Sequence, residues 1–399
     1  MKADSKHTQS FFSSDNPSNI AIFTLIVAVV TLIAIGLVMV YSAASVESIY
    51  HGIDPSDILV QQLVTIIIGL ALIVFVWKFA TYDRLQSKFM LIAIGIISTG
   101  TLIALPFFGS EALGATRWIY FGSVSFQVSE FSKIIIVMFA ARLLADFLDG
   151  VISRKSLLIQ ALLFVVLPIL LILITQSDLG TTLICAIGIF AVLWFGEVPY
   201  KIIISLVAIV AASAVGAIAM SPYRLERINF MNPWADPHDT GYQLIHSFYA
   251  FAQGGLAGSG LGNSKEKFLY LPEAETDFIF AIIGEELGFI CCLFIVICFL
   301  AILWAGLRIS LDATKKSHKI AAAALTIMLV FQAFLNIGCV LGLLPTTGKP
   351  LPFLTQGGTS LLSCCFIVGL VLSIATYSSK ENKYKENRKG FKLQSSPKK

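Results

Sequence analysis

The sequence contains few charged residues. Of its 399 residues only 13% are Asp, Glu, Lys or Arg, whereas 57% are hydrophobic and the mean hydropathy is +0.84. This composition excludes an ordinary soluble globular protein and is typical of a membrane protein. The net charge of +4 comes from lysines and arginines in short segments between apolar runs. We therefore predict no nucleic-acid partner.

Reactive and metal-binding patterns are also scarce. All seven cysteines lie within apolar runs, away from loops in which a disulfide would form. They show no metal-ligand spacing, and the glycines of 254–262 match no phosphate-binding loop. We therefore interpret the cysteines as small packing residues and these glycines as flexible turns.

Apolar runs recur along the whole chain. A helix needs about 20 mostly apolar residues to span a bilayer. The sequence therefore predicts an all-α integral membrane protein with ten transmembrane helices, flanked by a disordered cytoplasmic segment (1–19) and a basic cytoplasmic tail (378–399). The predicted spans are 21–43, 59–80, 89–107, 131–148, 157–175, 180–196, 201–220, 278–307, 320–344 and 360–377.

The distribution of basic residues predicts the orientation. Lys and Arg accumulate in short cytoplasmic loops, and here they concentrate on one side if both termini are cytoplasmic. The tail is then a solvated, disordered stretch beside anionic lipid. The cations of the short loops and the N-terminal segment on this side are Lys2, Lys6, Arg84, Lys88, Arg154, Lys155, Lys201, Lys315, Lys316 and Lys319.

Three segments on the predicted outer side do not resemble simple connections. Residues 221–277, between spans seven and eight, form a large extracytoplasmic loop rich in Gly, Pro and aromatics, which we expect to fold back on the membrane surface. Residues 114–133 and 343–360 also combine charged or proline-rich sequence with apolar flanks. Non-helical backbone at membrane depth must be satisfied by protein or a wet cavity, so we expect the three segments to converge on one outward-facing cavity.

Six motifs along the chain, taken in order, resemble the SEDS family (shape, elongation, division and sporulation). The resemblance covers about residues 20–377 and is stronger to the division and sporulation members than to the elongation members. Val128 and Ser177 stand where the family has proline, and Glu275 stands where it has histidine. The motifs are "GATRW" (114–118), "FQVSEFSK" (126–133), "QSDLGT" (176–181), "NPWADP" (232–237), "LGNSKEKFLYLPEAETDFIFAIIGEELG" (261–288) and "LLPTTGKPLPF" (343–353).

The resemblance implies an activity, a location and partners. SEDS proteins polymerise lipid II, the lipid-linked disaccharide-peptide precursor, into the glycan strands of peptidoglycan. The resemblance thus implies an inverting glycosyltransferase of the bacterial plasma membrane, at the division septum and with its active site outside. It also implies a class B penicillin-binding transpeptidase and other division proteins as partners.

Asp277 is the candidate catalytic residue. The incoming sugar hydroxyl loses a proton as it attacks, and a positioned carboxylate can accept that proton. The alternative is that Asp277 only caps the helix that follows it. Glu273 and Glu275 alternate with Asp277 and share one face if the segment is extended. Either they contact the substrate side, raise the pKa of Asp277 and hold Mg²⁺ or Mn²⁺, or they belong to a solvated acidic loop.

Several other charged residues are candidates for binding or structural roles. We predict that Arg117 and Lys133 bind the departing pyrophosphate, and that Arg227 contacts substrate. Asp178 either joins this set or pairs with one of its cations. Lys265 and Lys267 are expected to be hydrated. Glu285 and Glu286 lie inside an apolar run and must face the bundle interior, so we interpret them as a structural polar pair.

A lipid II flippase is the alternative function. Charged residues within a membrane can also line a translocation path. That function favours charges spread through the depth of the bilayer and an inverted repeat. Here the charges gather at one face and no repeat is evident, so we favour the glycosyltransferase.

Overall fold

The computed structural model describes residues 17–50, 52, 54–112, 115–121, 124–219, 232–238 and 241–394. Each of the ten predicted spans coincides with a helical segment. The helices are α1 (Pro17–Tyr50), α2 (Pro55–Lys78), α3 (Tyr82–Leu85), α4 (Lys88–Phe108), α5 (Val128–Leu148), α6 (Arg154–Ala161), a π-helix (Leu162–Val166), α7 (Leu167–Ile174), α8 (Leu179–Phe195), α9 (Tyr200–Ala219), a 3₁₀-helix (Pro233–Ala235), α10 (Tyr242–Gly254), α11 (Ile279–Leu311), α12 (Lys316–Val340) and α13 (Gly358–Gln394).

The predicted all-α membrane fold is confirmed. Within the described residues, seven helical segments are long and apolar enough to cross a membrane. Helix α5 is not among them although it is 21 residues long. It carries Glu130, Lys133, Arg142 and Asp146, and these charges lower its hydropathy. The protein is therefore a multi-pass membrane protein, and the count of ten spans stays a prediction.

Helix α12 forms the centre of the bundle. Its run Ala321–Ala324 is fully buried, and α12 packs against α5, α8 and α11. A β-carbon on Gly306 of α11 would lie 2.1 Å from Oγ1 of Thr326, so the two helices approach closely at this glycine. Small residues allow this approach between membrane helices. By contrast, the outer helices expose Ile, Val, Leu and Phe side chains suited to lipid.

A small antiparallel sheet connects α4 to α5. Its strands are β1 (Ser110–Ala112), β2 (Ala115–Phe121) and β3 (Val124–Gln127), in that order. Trp118 pairs with Gln127, and Tyr120 pairs with Ser125. Because β3 runs directly into α5, the sheet fixes where α5 begins.

The terminal segments differ from expectation. Residues 1–16 of the predicted disordered segment lie outside the described residues, and α1 already begins at Pro17. Helix α13 continues to Gln394, so the prediction of a disordered basic tail is wrong over residues 378–394. The physical reason is composition, because seven of the residues 378–394 are Lys or Glu, which favour helix.

Candidate active site

The three unusual segments contact one another, as the sequence predicts, and the outward-facing cavity between them stays a prediction. The backbone N–H of Gln356 donates to the carbonyl of Glu275 at 2.9 Å, which joins residues 343–360 to 221–277. Thr359 Oγ1 donates to the carbonyl of Ser125 at 2.9 Å, which joins 343–360 to 114–133. The segment 343–360 therefore lies between the other two.

Asp277 lies at this junction, just before α11. Nδ2 of the buried Asn336 donates to the carbonyl oxygen of Asp277 at 2.8 Å. The same amide donates to the carbonyl oxygen of Lys349 at 2.8 Å. One side chain of the central helix α12 thus holds the start of α11 and the proline-rich segment in a fixed relation.

The carboxylate of Asp277 does not act as a helix cap. The N-cap of α11 is Phe278, and it makes no side-chain capping bond. Within the described residues, no hydrogen bond joins the Asp277 carboxylate to the first turn of α11. By contrast, Asp54 caps α2 by accepting from the Ser56 N–H at 2.8 Å. The geometry therefore favours a chemical role for Asp277 over the capping alternative.

The surroundings of Asp277 make it a stronger base than an ordinary aspartate. Its pKa is raised to about 6, chiefly by burial and further by the charge of Glu273, against the opposing charge of the nearby Lys349. Gly348, at φ +63°, lies against the carboxylate, since a β-carbon there would be 3.3 Å from Oδ2. A group with this pKa is mostly ionised at neutral pH and can still accept a proton.

Glu273 and Glu275 reach this region on a turn rather than on an extended strand. Glu273 has φ +57°, and its carbonyl accepts from the N–H groups of Thr276 and Phe278. The shared face that an extended backbone would give is therefore absent. Within the described residues, no group of three or more His, Cys, Asp or Glu side chains could hold a metal ion.

Asp178 forms a buried ion pair with Lys349. The ammonium Nζ lies 2.7 Å from Oδ2 of Asp178 and donates to Oγ1 of Thr181 at 2.6 Å. Asp178 also caps α8 by accepting from the Thr181 N–H. Burial alone would raise the pKa of Asp178, but Lys349 and these hydrogen bonds hold it below its usual value. Of the two alternatives for Asp178, the pairing with Arg117 or Lys133 is not found, because its partner is Lys349.

Sequence reasoning missed Lys349 as a site residue. The available signal was its position, because it is a single cation inside the proline-rich motif of residues 343–353. Its partner is 171 residues away, and no local pattern links the two.

Lys133 lies in a second buried network. Its Nζ donates at 2.7 Å to Oε2 of Glu130 and at 2.7 Å to Oε1 of Gln332. Both ionised side chains are at most 1% exposed. Ser363 donates to the same carboxylate oxygen at 2.9 Å, and Nε2 of Gln332 donates to the carbonyl of Pro350 at 3.0 Å. Through Gln332, this network holds the proline-rich segment at Pro350.

Arg117 has a more accessible position on β2. Its Nε donates to the carbonyl of Gln176 at 2.8 Å, and its Nη2 donates to that of Ser177 at 3.2 Å. Arg117 therefore lies beside the turn that carries Asp178. Arg227, the other predicted substrate contact, lies outside the described residues.

Glu285 and Glu286 face the bundle interior as predicted. Oε1 of Glu285 accepts from the Lys265 N–H at 2.6 Å. Glu286 accepts from Lys267 Nζ at 2.8 Å and from Ser42 Oγ at 2.7 Å. Lys267 is only 5% exposed, so the expectation that it is hydrated is wrong.

The glycine-rich segment packs closely on α11. A β-carbon on Gly258 would lie 2.2 Å from the carbonyl oxygen of Glu286, and one on Gly254 would lie 1.9 Å from that of Gly284. The interpretation of the glycines of 254–262 as flexible turns is therefore wrong for Gly254 and Gly258. Gly254 and Gly258 allow the chain before Asp277 to lie against the helix after it.

Comparison with known proteins identifies similar sequences over most of the chain. Residues 23–380 match the FtsW/RodA/SpoVE family, described as cell cycle protein. Stage V sporulation protein E of Bacillus subtilis is 37% identical over 364 residues, which cover 89% of this chain and 96% of that protein. The probable peptidoglycan glycosyltransferase FtsW of Geobacter metallireducens is 35% identical, and the match covers 88% of this chain and 94% of that protein.

Solved structures with the same fold are also known. Rod shape determining protein RodA of Thermus thermophilus is 26% identical with a TM-score of 0.63, over 88% of this chain and 95% of that chain. A chain of a peptidoglycan synthase complex that coordinates polymerization and crosslinking has a TM-score of 0.71. The match covers 89% of this chain and 98% of that chain. At 24% identity this second likeness shows the fold alone.

Proposed function

Because the chain belongs to the FtsW/RodA/SpoVE family of cell cycle proteins, we propose that it is a peptidoglycan glycosyltransferase that polymerises lipid II. Curated relatives at 35% and 36% identity carry the name probable peptidoglycan glycosyltransferase. The structural observation that carries the proposal is the half-buried carboxylate of Asp277, with its raised pKa and without a capping bond.

In the proposed reaction, Asp277 acts as the general base. The acceptor sugar hydroxyl attacks the anomeric carbon of the donor while its proton passes to the Asp277 carboxylate. The new glycosidic bond forms as the bond to undecaprenyl pyrophosphate breaks, with inversion at the anomeric carbon. A base is most effective when its pKa lies near the working pH, which supports Asp277 over a fully exposed carboxylate.

Arg117 is our proposed contact for the leaving pyrophosphate. A guanidinium has five N–H donors, and the carbonyls of Gln176 and Ser177 accept from two of its nitrogens. Lys133 is enclosed with Glu130 and Gln332, so we now assign it a structural role. Asp178 acts indirectly by holding Lys349, and Glu273 and Glu275 remain candidates for substrate contact.

The orientation and partners follow from the same proposal. Both termini lie in the cytoplasm, so Asp277 faces the outer side of the bacterial plasma membrane, where the lipid-linked disaccharide is exposed. A class B penicillin-binding transpeptidase crosslinks the product at the division septum. This partner is proposed from the family to which the chain belongs.

An assay that follows polymerisation and translocation together tests the proposal. Purified protein is placed in vesicles with fluorescent lipid II, with and without the transpeptidase. Glycan strands are resolved on a gel, and translocation is read from quenching of outward-facing fluorophores. We expect glycan strands from the protein alone or with its partner. Translocation above protein-free vesicles without any glycan product would favour the flippase alternative.

A further inference from the structure

A mixed polar and apolar cavity lies at the other end of α5 from Lys133. It is formed by the start of α4, the end of α5 and the region of α6. Its polar lining residues are Lys88, Arg142, Asp146 and Gln160. Glu130 and Asp146 are 16 residues apart on α5, which corresponds to about 24 Å along the helix. This cavity is therefore separate from the candidate active site.

The polar lining carries one uncompensated positive charge. Arg142 Nε lies 2.8 Å from Oδ1 of Asp146, and the two side chains are 33% and 23% exposed. No ion pair of Lys88 is present among the described residues. A guanidinium keeps further N–H donors when one nitrogen faces a carboxylate. The cavity therefore presents an ammonium and part of a guanidinium to an incoming anion.

The remaining wall of the cavity is apolar and reaches the lipid-facing surface. Leu91, Ile92, Phe139 and Leu143 line it. Next to it along the chain, Phe89, Ile159 and Leu162 are 84%, 49% and 59% exposed. An occupant with an anionic group at one end and a hydrocarbon chain at the other fits both parts of the lining.

This wall is held by specific packing. The ring of Phe139 stacks on that of Phe164 with centroids 4.5 Å apart. Phe164 belongs to the π-helix Leu162–Val166 that begins two residues after Gln160, and such π segments are frequent at functional sites. Gly95 leaves room for the Phe164 ring, because a β-carbon there would lie 2.9 Å from its Cδ1.

We propose that this cavity binds the headgroup of an anionic phospholipid. Lys88 and Arg142 contact the phosphate, and an acyl chain leaves the cavity past Ile92 and the exposed Phe89. Basic pockets between membrane helices at the cytoplasmic side bind anionic headgroups in this way. Lys88 belongs to the loops that the charge rule assigns to the cytoplasm, so the lipid comes from that leaflet.

The test uses the full chain and compares phosphatidylglycerol with phosphatidylcholine of the same acyl composition. Bound lipid is counted by native mass spectrometry after titration in detergent. The double variant K88Q/R142Q is compared with the matched control R154Q/K155Q, which removes two exposed cations beside the cavity but outside its lining. Lys88→Gln alone, a change of one exposed side chain, gives a measurement if the double variant misfolds.

A surface cation contributes about fivefold to anionic lipid binding. We therefore expect K88Q to weaken phosphatidylglycerol binding about fivefold and K88Q/R142Q about 25-fold, with little change in R154Q/K155Q. Equal loss in both double variants, or equal binding of phosphatidylcholine, would overturn the proposal. Displacement by glycerol phosphate at the same concentrations as by phosphatidylglycerol would also overturn it, because the site would then recognise a soluble anion.

Discussion

The buried pair of Asp178 and Lys349 gives the most quantitative prediction. Lys349→Met keeps the length of the side chain and removes its ammonium. Asp178 would then be a buried carboxylate that keeps only its bonds to Thr181. Breaking a buried ion pair by removing one partner costs about 3–5 kcal/mol. We expect a loss of that size in the free energy of unfolding.

The double variant Asp178→Asn/Lys349→Met separates charge from packing. Asparagine can still accept from the Thr181 N–H, and no buried charge remains. We expect the double variant to recover most of the stability that Lys349→Met loses, because neutral replacements of both partners in a buried pair are often tolerated. The unfolding free energies of the wild type, Asp178→Asn, Lys349→Met and the double variant form a double-mutant cycle, measured by denaturant titration in detergent.

Lys316 provides the matched control. It pairs with Asp149 at 2.6 Å, but these side chains are 55% and 49% exposed. Exposed ion pairs contribute about 0–1 kcal/mol, so Lys316→Met should cost little. If Lys349→Met costs no more than Lys316→Met, our account of the buried pair is wrong. It is also wrong if the free-energy losses of Asp178→Asn and Lys349→Met simply add in the double variant.

Two further predictions concern the glycine-rich segment and the pH dependence. Gly258→Ala should destabilise the protein clearly more than Gly262→Ala in thermal unfolding. Both glycines have φ +83°, but only at Gly258 does the added β-carbon meet a backbone oxygen; equal effects would contradict the close packing. The rate of glycan formation should fall as the pH decreases through about 6, to about a tenth at pH 5, because only ionised Asp277 can accept the proton. A rate that is constant between pH 5 and 8 would exclude this base.

The sequence predicted the features that depend on local pattern. Each apolar run coincides with a helical segment, and the carboxylates of Glu285 and Glu286 inside such a run indicated an interior polar pair, as the structure shows. Asp277 was proposed as the candidate base from its position before a span together with its motif, and that role stays a prediction. Its position next to Gly348 and Asn336 was not predictable, because those residues belong to segments distant in the chain.

Pairing between distant segments accounts for the errors. Lys133 and Lys267 were expected to meet substrate or water, but each is buried against a carboxylate. A lysine near the end of a span looks the same in sequence whether it faces solvent or an interior glutamate. For Lys267, the close approach at Gly258 decides the outcome, since it brings the loop onto α11.

The central claim is that Asp277 is the base of the glycosyltransferase, and Asp277→Asn tests it most directly. The rate of glycan formation from lipid II is compared with that of Asp54→Asn, which changes an aspartate that does cap a helix. We predict a loss of about 10²–10⁴-fold for Asp277→Asn and none for Asp54→Asn. Folding raises the pKa of Asp277 from 3.8 to about 6, so its charge opposes folding above that pH and the melting temperature should not fall. A near wild-type rate would contradict the claim and make Glu273 or Glu275 the candidate base.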